Sequence, residues 1–508
     1  MKTFKVVDLF AGPGGLAEGF ASFARGKQKP FQIALSVEKE ATAFATLRLR
    51  SFFRQFKGKA PRAYYSYIAG EISRDDLIAR YPDQWAAACE ETDCLELGQP
   101  ETNEKLDPVL DRIRSASDGN TVLIGGPPCQ AYSLVGRARN QGIADYVASE
   151  DHRHFLYREY IRIIGKLKPA AFVMENVKGF LSAKVDGLSI FDQVMLDLTS
   201  AGGQENSYRI LPLSMYAASG GGREHVLRSE QFGVPQRRHR VILFGVRSDI
   251  ATGSAGLALS GHTMSPGPTQ KSVRDVLKGM PKLRSTLSKH VDSSALWKSI
   301  VTHGFRTAAA ACHAAEDEQL DSVAERLVSY AEKLEATRKL LPVRSSQPAA
   351  VSDPELSGWL SDPHLSFLPN HDTRGHMDED LARYAFASVF GEIHGRSPKA
   401  SDYPEALAPR HRNWTSGKFA DRFRVQLWNE PATTVTSHIS KDGHYFVHPD
   451  PMQCRSLTVR EAARLQTFPD NYFFEGNRTE QYVQVGNAVP PYLARQIAAT
   501  VYSILESN

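Results

Sequence analysis

The feature that most narrows what this chain can fold into is a recurring unit: a short apolar run, then a Gly-rich or acidic turn, then residues at helical spacing. It appears first at Lys5 to Phe10 ("KVVDLF"), where "AGPGG" intervenes before Leu16, Phe20 and Phe23 recur at helical intervals. It returns in "FQIALSVEKEATAFATLRLR", where an apolar alternation ends at Glu38 and a helical pattern begins. The same logic repeats at "TVLIGG", "KPAAFVMENV" and "RRHRVILFGV". Strands alternating with helices predict an α/β fold with a parallel or mostly parallel sheet flanked by helices.

At 508 residues the chain is long enough for two or three domains, since a single core rarely grows past about 250–300 residues. Beyond about Arg247 its character changes. The segment from Ala251 to about Ala420 has Ser, Pro and Gly clusters, an Ala-rich amphipathic helical stretch at Arg306–Leu341 and few strand-like runs, which reads as a second domain. Arg344–Gly358 ("RSSQPAAVSDPELSG") is the best linker candidate. Near the end, "LTVREAARLQ" reads as a helix N-capped by Thr458, and "AVPPYLARQIAATVYSIL" as a turn followed by a terminal helix.

Five cysteines without metal-type spacing, and no cleavable signal ahead of the first strand, point to a reducing cytoplasm. No metal site is expected. No apolar run approaches the roughly 20 residues that span a membrane. The net charge of +4 decides nothing by itself. Its distribution says more: arginines cluster in "PQRRHRV", "APRHRNW" and "GKFADRFRVQ", each with an aromatic or a histidine inside or beside it.

The turn "DLFAGPGG" sits between strand and helix, where open α/β sheets bind ligands, and its glycines let a ligand approach the backbone. The spacing is not G-x-G-x-x-G, which weakens a nicotinamide assignment. Glu38, at the next strand end, is placed either to grip ribose hydroxyls or to complement a helix start. In "VLIGGPPCQAYS", Pro127 and Pro128 stiffen the backbone immediately before Cys129. A lone cysteine is commonly an inert core residue. Here, however, "FVMENV" ends a buried strand in Glu175 and Asn176, and an acid there is costly unless it has a task or a partner. A thiolate and a carboxylic acid at neighbouring strand ends suit covalent attack on an electron-poor ring with protonation of a ring nitrogen. In "QRRHR", Arg238 and Arg240 fall on one face of a strand, either for chemistry or for salt bridges.

Taken in order, "DLFAGPGG", "GGPPCQAYS", "ENV", "QRRHR", "LTVREAARLQTFPDNY" and "QVGNAVPPYLARQIA" resemble the DNA (cytosine-5) methyltransferases of bacterial restriction–modification systems, over roughly residues 3–250 and 421–500. The resemblance implies the Rossmann-like class I S-adenosylmethionine-dependent methyltransferase fold with a second, smaller target-recognition domain. It divides the chain into a catalytic and cofactor-binding domain at 1–251, target recognition at 252–454, and a C-terminal segment at 455–508 whose last helix returns to the catalytic domain. Cys129 would attack C6 of the target cytosine, Glu175 would engage N3 and the exocyclic amine, Arg240 would hold O2, and Arg238 would support the nucleophile loop. The donor, S-adenosyl-L-methionine, leaving as S-adenosyl-L-homocysteine, would lie over Phe10, Ala11, Gly12, Gly14, Gly15 and Leu16. Glu38 would take its ribose and Glu71 its adenine side, with Pro127, Leu156, Asn487 and Val489 completing the site. At two places the chain departs from the family pattern: Glu71 replaces the usual Asp, and Lys39 replaces an apolar or aromatic residue.

The partner implied is double-stranded DNA, whose target base must be flipped from the stack. The segment Ser133–His154 would close over it, placing Ser133, Arg137 and Arg153 at the DNA together with Gln236. His371, Arg374, Arg410 and Arg412 are the recognition-domain candidates for phosphate or base contact. A cognate restriction endonuclease acting on the same site, a monomeric state and a cytoplasmic, nucleoid-associated location are expected. The principal alternative is a transfer-RNA-type cytosine-5 methyltransferase, which shares the motifs but lacks a large recognition domain. Amino-group methyltransferases use no covalent thiol, a catalytically dead DNA-binding relative would have lost Cys129 or Glu175, and a nicotinamide oxidoreductase needs neither "ENV" nor "QRRHR".

Overall fold

The computed structural model describes residues 2–56, 59–128, 156–185, 187–214, 220–251, 263–345, 347–409, 414 and 421–506. Contacts divide the chain into two compact units: residues 1–270 with 488–508, and residues 271–487.

The first unit is built on an eight-stranded sheet. Its strands are β1 (Phe4–Leu9), β2 (Phe31–Glu38), β3 (Thr92–Cys94), β4 (Thr121–Gly125), β5 (Ala171–Val177), β6 (Tyr208–Leu211), β7 (Val226–Arg228) and β8 (His239–Arg247). The order is β3-β2-β1-β4-β5-β8-β6, with β7 also on β8. The first five strands run parallel; β8 runs antiparallel to β5, β6 and β7. The mostly parallel sheet expected from the sequence is therefore present.

Both faces of the sheet are covered, which is why its central strands read as continuous apolar runs. Val122 and Ile124 of β4 join Val173 of β5 on the face packed by α1 (Gly15–Ser22) and the terminal helix Pro491–Glu506. Leu123, Phe172 and Met174 point to the other face. There they meet Leu106 and Leu110 of α2 (Pro100–Ala116), Tyr160, Ile163 and Ile164 of α3 (Leu156–Leu167), and Val194 and Leu198 of α4 (Ile190–Thr199). The return of the last helix is enforced by glycine: a Cβ on Gly19 would stand 2.3 Å from the Ala494 Cβ, and one on Gly15 would stand 2.2 Å from the Val489 oxygen.

The second unit has its own core, made by α5 (Ser294–Ala314), α6 (Glu318–Ala336) and α7 (Asp378–His394). The amphipathic stretch expected at 306–341 is thus two helices rather than one. Glu316 adopts a left-handed φ of 51°, and Asp317 caps the second helix by accepting from the Gln319 amide.

The helix expected in "LTVREAARLQ" is α8 (Val459–Leu465), with a capping box between Thr458 and Glu461. It belongs to the second unit, as does α9 (Arg478–Asn487). Arg455 grips Glu461 through two contacts, of 2.7 and 2.6 Å. Arg464 grips Asp470 at 2.9 and 2.7 Å. Arg460 donates to the carbonyls of Pro369, Pro469 and Tyr472. All three guanidinium groups are fully buried.

The motif helix α8 spends its buried arginines on partners within the second unit. One expectation about organisation is corrected. The proposed linker at 344–358 is not one: Arg464 donates to the Ala350 carbonyl, Ser352 to that of Asp275, and residues from Pro354 onward form a helix.

Gly19→Ala is expected to lower unfolding free energy by about 1–3 kcal/mol through overpacking. Gly358→Ala, whose new Cβ would meet nothing within 4 Å, is expected to raise it by about 0.5–1 kcal/mol by restricting the unfolded chain. Urea titrations of the two variants check both signs.

Candidate active site

Parallel register brings the chemistry to one edge. Leu9 of β1 is level with Val37 of β2 and Gly125 of β4, and Gly125 with Met174 of β5. The turn after β1, Glu38, the start of the Pro-Pro turn and Glu175 therefore all leave the sheet at neighbouring carboxyl ends.

The first turn is held in a conformation that side chains rarely adopt. Phe10, Gly12 and Gly14 have φ of 54°, 56° and 96°. Phe10 is the costly member of the set, the kind of strain found where a backbone is shaped for a ligand. The Ala11 amide donates to the Val37 carbonyl and the Gly14 amide to the Ala11 carbonyl. Glu38, 8% exposed, accepts from the Gly12 amide at 2.7 Å and the Glu40 amide at 2.8 Å. Burial raises its carboxyl above the usual range, opposed by those amides. Above Gly12 there is open space, with nothing within 4 Å of a Cβ built there. A half-buried cradle of backbone beside a carboxylate fits a nucleoside-bearing cofactor. Leu16 and Val489 differ from the expectation in one respect: both side chains are buried in the core, so only their backbone atoms can border a ligand.

The second cluster surrounds Glu175, at the end of β5. Arg240 Nε lies 2.8 Å from its Oε1, and Arg240 Nη1 donates to the His239 carbonyl at 2.9 Å. A Cβ on Gly126 would come within 2.9 Å of Glu175 Oε2, so a side chain there would displace the carboxylate from its present position. Arg238 is 2% exposed. Burial, reinforced by the charge of Arg240, pulls its guanidinium well below the ordinary arginine range, and Glu175 opposes this. Pro127 is buried and Pro128 half-buried. Cys129, Ser133, Arg137, Arg153, Arg410 and Arg412 lie outside the described residues.

Leu156 opens α3, and its side chain packs near Gly98 in the turn that follows β3. Asn487 is the exposed last residue of α9, in the second unit, directly before the chain re-enters the first.

Four assignments are corrected. Glu71 is exposed in the connection between the helices Arg62–Ile68 and Arg74–Arg80, whereas the strand end beside Glu38 is Cys94 of β3. The acid at that edge is Asp93, whose carboxyl burial pushes upward. Gln236 is fully buried, its carbonyl accepting Ser229 Oγ at 2.6 Å, so it lines protein rather than a duplex. His371 is 1% exposed, with its ring between Thr458 Oγ1 and the Pro281 carbonyl; burial lowers it to about 4, leaving a neutral core histidine. Arg374 donates to the carbonyls of Ile439 and Lys441 and lies 4.2 Å from the Tyr482 ring centre, so its guanidinium braces the fold.

Asp8 was not singled out by the sequence patterns. It sits on β1, 0% exposed, and among the described residues neither carboxyl oxygen has a close hydrogen-bond partner. Burial drives it well above the usual 3.8, against the pull of Arg54 and of the nearby Ala17 amide. The signal that could have found it is the one that found Glu175, an acid inside an apolar strand. Between its unfolded and folded values, the unfolded chain releases a proton that the folded chain retains, so stability is lost as pH rises through that window. Asp8→Asn removes the loss. Its thermal midpoint is expected to gain on the parent's at about pH 8 relative to about pH 4, by about 2–4 °C for each kcal/mol recovered; an equal difference at both pH values contradicts a neutral Asp8.

Among the described residues no helix is long and apolar enough to cross a membrane, and no group of three potential ligands could hold a metal ion. The family description "C-5 cytosine-specific DNA methylase" matches residues 112–347 and 367–503. The chain is 34% identical to the type II methyltransferase M.Bpa9945I of Bacillus paralicheniformis, covering 99% of each protein. It is 26% identical to M.AgeI of Thalassovita gelatinovora, over 98% of this chain and 99% of that one. A solved structure described as a prophage-encoded DNA modification methyltransferase candidate from E. coli aligns with a TM-score of 0.50 and 18% identity, covering 99% of this chain and 100% of that one, which shows a shared fold. Such a fold and family imply a methyl donor. With a mostly parallel sheet carrying its reactive groups on one edge and relatedness along nearly its whole length, the chain belongs to the C-5 cytosine-specific DNA methylases.

Proposed function

We propose that this protein transfers a methyl group from S-adenosyl-L-methionine to C5 of a cytosine within a specific short duplex sequence, through a covalent bond between Cys129 and C6. The observation that carries this is the Glu175 carboxylate, fixed by Arg240 at 2.8 Å beside the Gly126 backbone that leads into Pro127, Pro128 and Cys129.

In this scheme the Cys129 thiolate adds to C6, while Glu175 engages N3 and the exocyclic amine so that electron density moves to C5. Arg240, already committed to Glu175, has further donors for the O2 of the base. S-adenosyl-L-methionine, when bound, supplies the electrophilic methyl. Its holders would be the backbone of Phe10–Gly15, with Glu38 for the ribose hydroxyls. Loss of the C5 proton and β-elimination then restore the thiolate and release methylcytosine. A base within a duplex must leave the stack for this chemistry, which costs a few kcal/mol.

Residues 252–454 would carry target recognition. With His371 and Arg374 engaged in the fold, the remaining basic candidates are Arg410 and Arg412. The names of the relatives, all type II methyltransferases, favour a restriction–modification setting in which an endonuclease reads the same site.

The test is incubation with S-adenosyl-L-methionine and mixed-sequence duplex DNA, followed by base-resolution mapping of methylcytosine. One recurring short motif is expected; methylation of RNA instead of DNA would favour the transfer-RNA type. Cys129→Ala should abolish turnover while cofactor still binds. Glu175→Gln should slow the chemical step by about a hundredfold or more with DNA affinity retained; equal loss of rate and affinity would recast Glu175 as structural.

A further inference from the structure

One buried acid in the first unit has no place in the scheme above. Glu230 lies in the short 3-10 turn Ser229–Phe232, which connects β7 toward β8. It is 7% exposed. Its Oε1 is 2.8 Å from His239 Nε2, and its Oε2 is buried without a hydrogen-bond partner among the described residues. A carboxylate kept this dry with one oxygen unsatisfied costs stability, so its retention asks for a compensating role.

The geometry points to Glu230 and His239 as a positioning pair for Arg240. His239 and Arg240 are consecutive residues of β8 and so take opposite faces of the strand. This end of β8 is paired on both sides, with Arg240 level with Val177 of β5 as well as with β7. Its partner β7 is only three residues long, with His239 level with Arg228 and Arg240 level with Leu227. Backbone and side chains together fasten its entrance: the Ser229 amide donates to the Arg238 carbonyl at 3.2 Å. Ser229 Oγ donates to the Gln236 carbonyl at 2.6 Å and accepts from the Arg238 amide at 3.0 Å, which fastens the turn to the strand entrance. Glu230 then fastens the imidazole of His239. The carbonyl of that same residue accepts Arg240 Nη1 at 2.9 Å, while Arg240 Nε holds Glu175. The chain of contacts therefore runs Glu230, His239, the His239 peptide, Arg240, Glu175. Its first two members touch no reacting group and act by fixing the peptide that aims the guanidinium. Displacements of about 1 Å at such positions can cost about a hundredfold in rate.

This inference rests on the catalytic assignment of Glu175 and Arg240, and the experiment separates the two. Single-turnover methylation is measured at saturating DNA and S-adenosyl-L-methionine for His239→Ala, His239→Gln, Glu230→Ala, the double Ala variant and Glu175→Gln, alongside DNA affinity and thermal midpoint. His239→Ala is expected to slow the chemical step about tenfold with DNA affinity nearly unchanged, and His239→Gln, which keeps a donor for Glu230, to recover most of it. The double variant should be no slower than the worse single one, as members of one unit behave. A His239→Ala rate within about twofold of the parent overturns the positioning role, as do additive losses or a loss that His239→Gln fails to restore. Where His239→Ala does not fold, Glu230→Ala carries the same comparison. A parental rate in Glu175→Gln would instead overturn the catalytic assignment beneath it.

Discussion

The alignment of carboxyl ends in the parallel part of the sheet is the constraint on which the site depends. Gly125, with φ 158°, brings the end of β4 so close to β1 that a Cβ would stand 2.4 Å from the Leu9 carbonyl. That approach sets the Gly-rich turn and the Pro-Pro turn side by side. Because the next strand, β5, is in register with β4, its own end delivers Glu175 to the same edge. Three loops distant in sequence thus converge without any of them being long, as open α/β sheets allow at their carboxyl edge.

Charge is handled in contrasting ways across the molecule. In the second unit the carboxyl of Glu461 would be raised by burial, but Arg455, bound to it twice, holds it well below the usual range. Such pairs seldom add net stability over an apolar substitute, yet losing one partner strands the other; they specify one arrangement of α8. In the first unit Glu175 and Arg240 form a similar pair, but one that is only partly buried. Asp8 forms no ion pair among the described residues, and burial raises its carboxyl well above the usual range against the pull of Arg54. The unpaired acid lies on β1, directly ahead of the strained backbone at Phe10.

Much of this was legible in the sequence because its signals are local. Apolar runs ending in "GPGG", in Glu38 and in "ENV" announce strands and their ends, and "LTVRE" announces a capped helix, since a capping box needs only residues three apart. Basic and histidine-bearing segments were less informative. His371 and Arg374 look like DNA-binding residues in a string of polar letters, but a histidine fits between two buried acceptors and an arginine can satisfy carbonyls as well as phosphates. Glu71 matched a motif position by its neighbours, while the strand end that counts lies more than twenty residues later, at Thr92–Cys94, after a helical excursion that leaves Glu71 in solvent. Glu230 and His239 gave no signal, because their pairing crosses a turn whose shape depends on Ser229.

By itself, then, the sequence determined the α/β class and the strand ends that carry Glu38 and Glu175, through periodicity and turn chemistry within short windows, while the return of the last helix was implied by the family resemblance. Tertiary structure alone decided which acids are paired and which are stranded, where the second unit begins and ends, and which arginines are spent on carbonyls. Those outcomes turn on desolvation and on partners far apart in the chain, such as Arg464 with the Val276 carbonyl. The energy of a buried charge is fixed by its neighbours in space, and a linear pattern does not contain them.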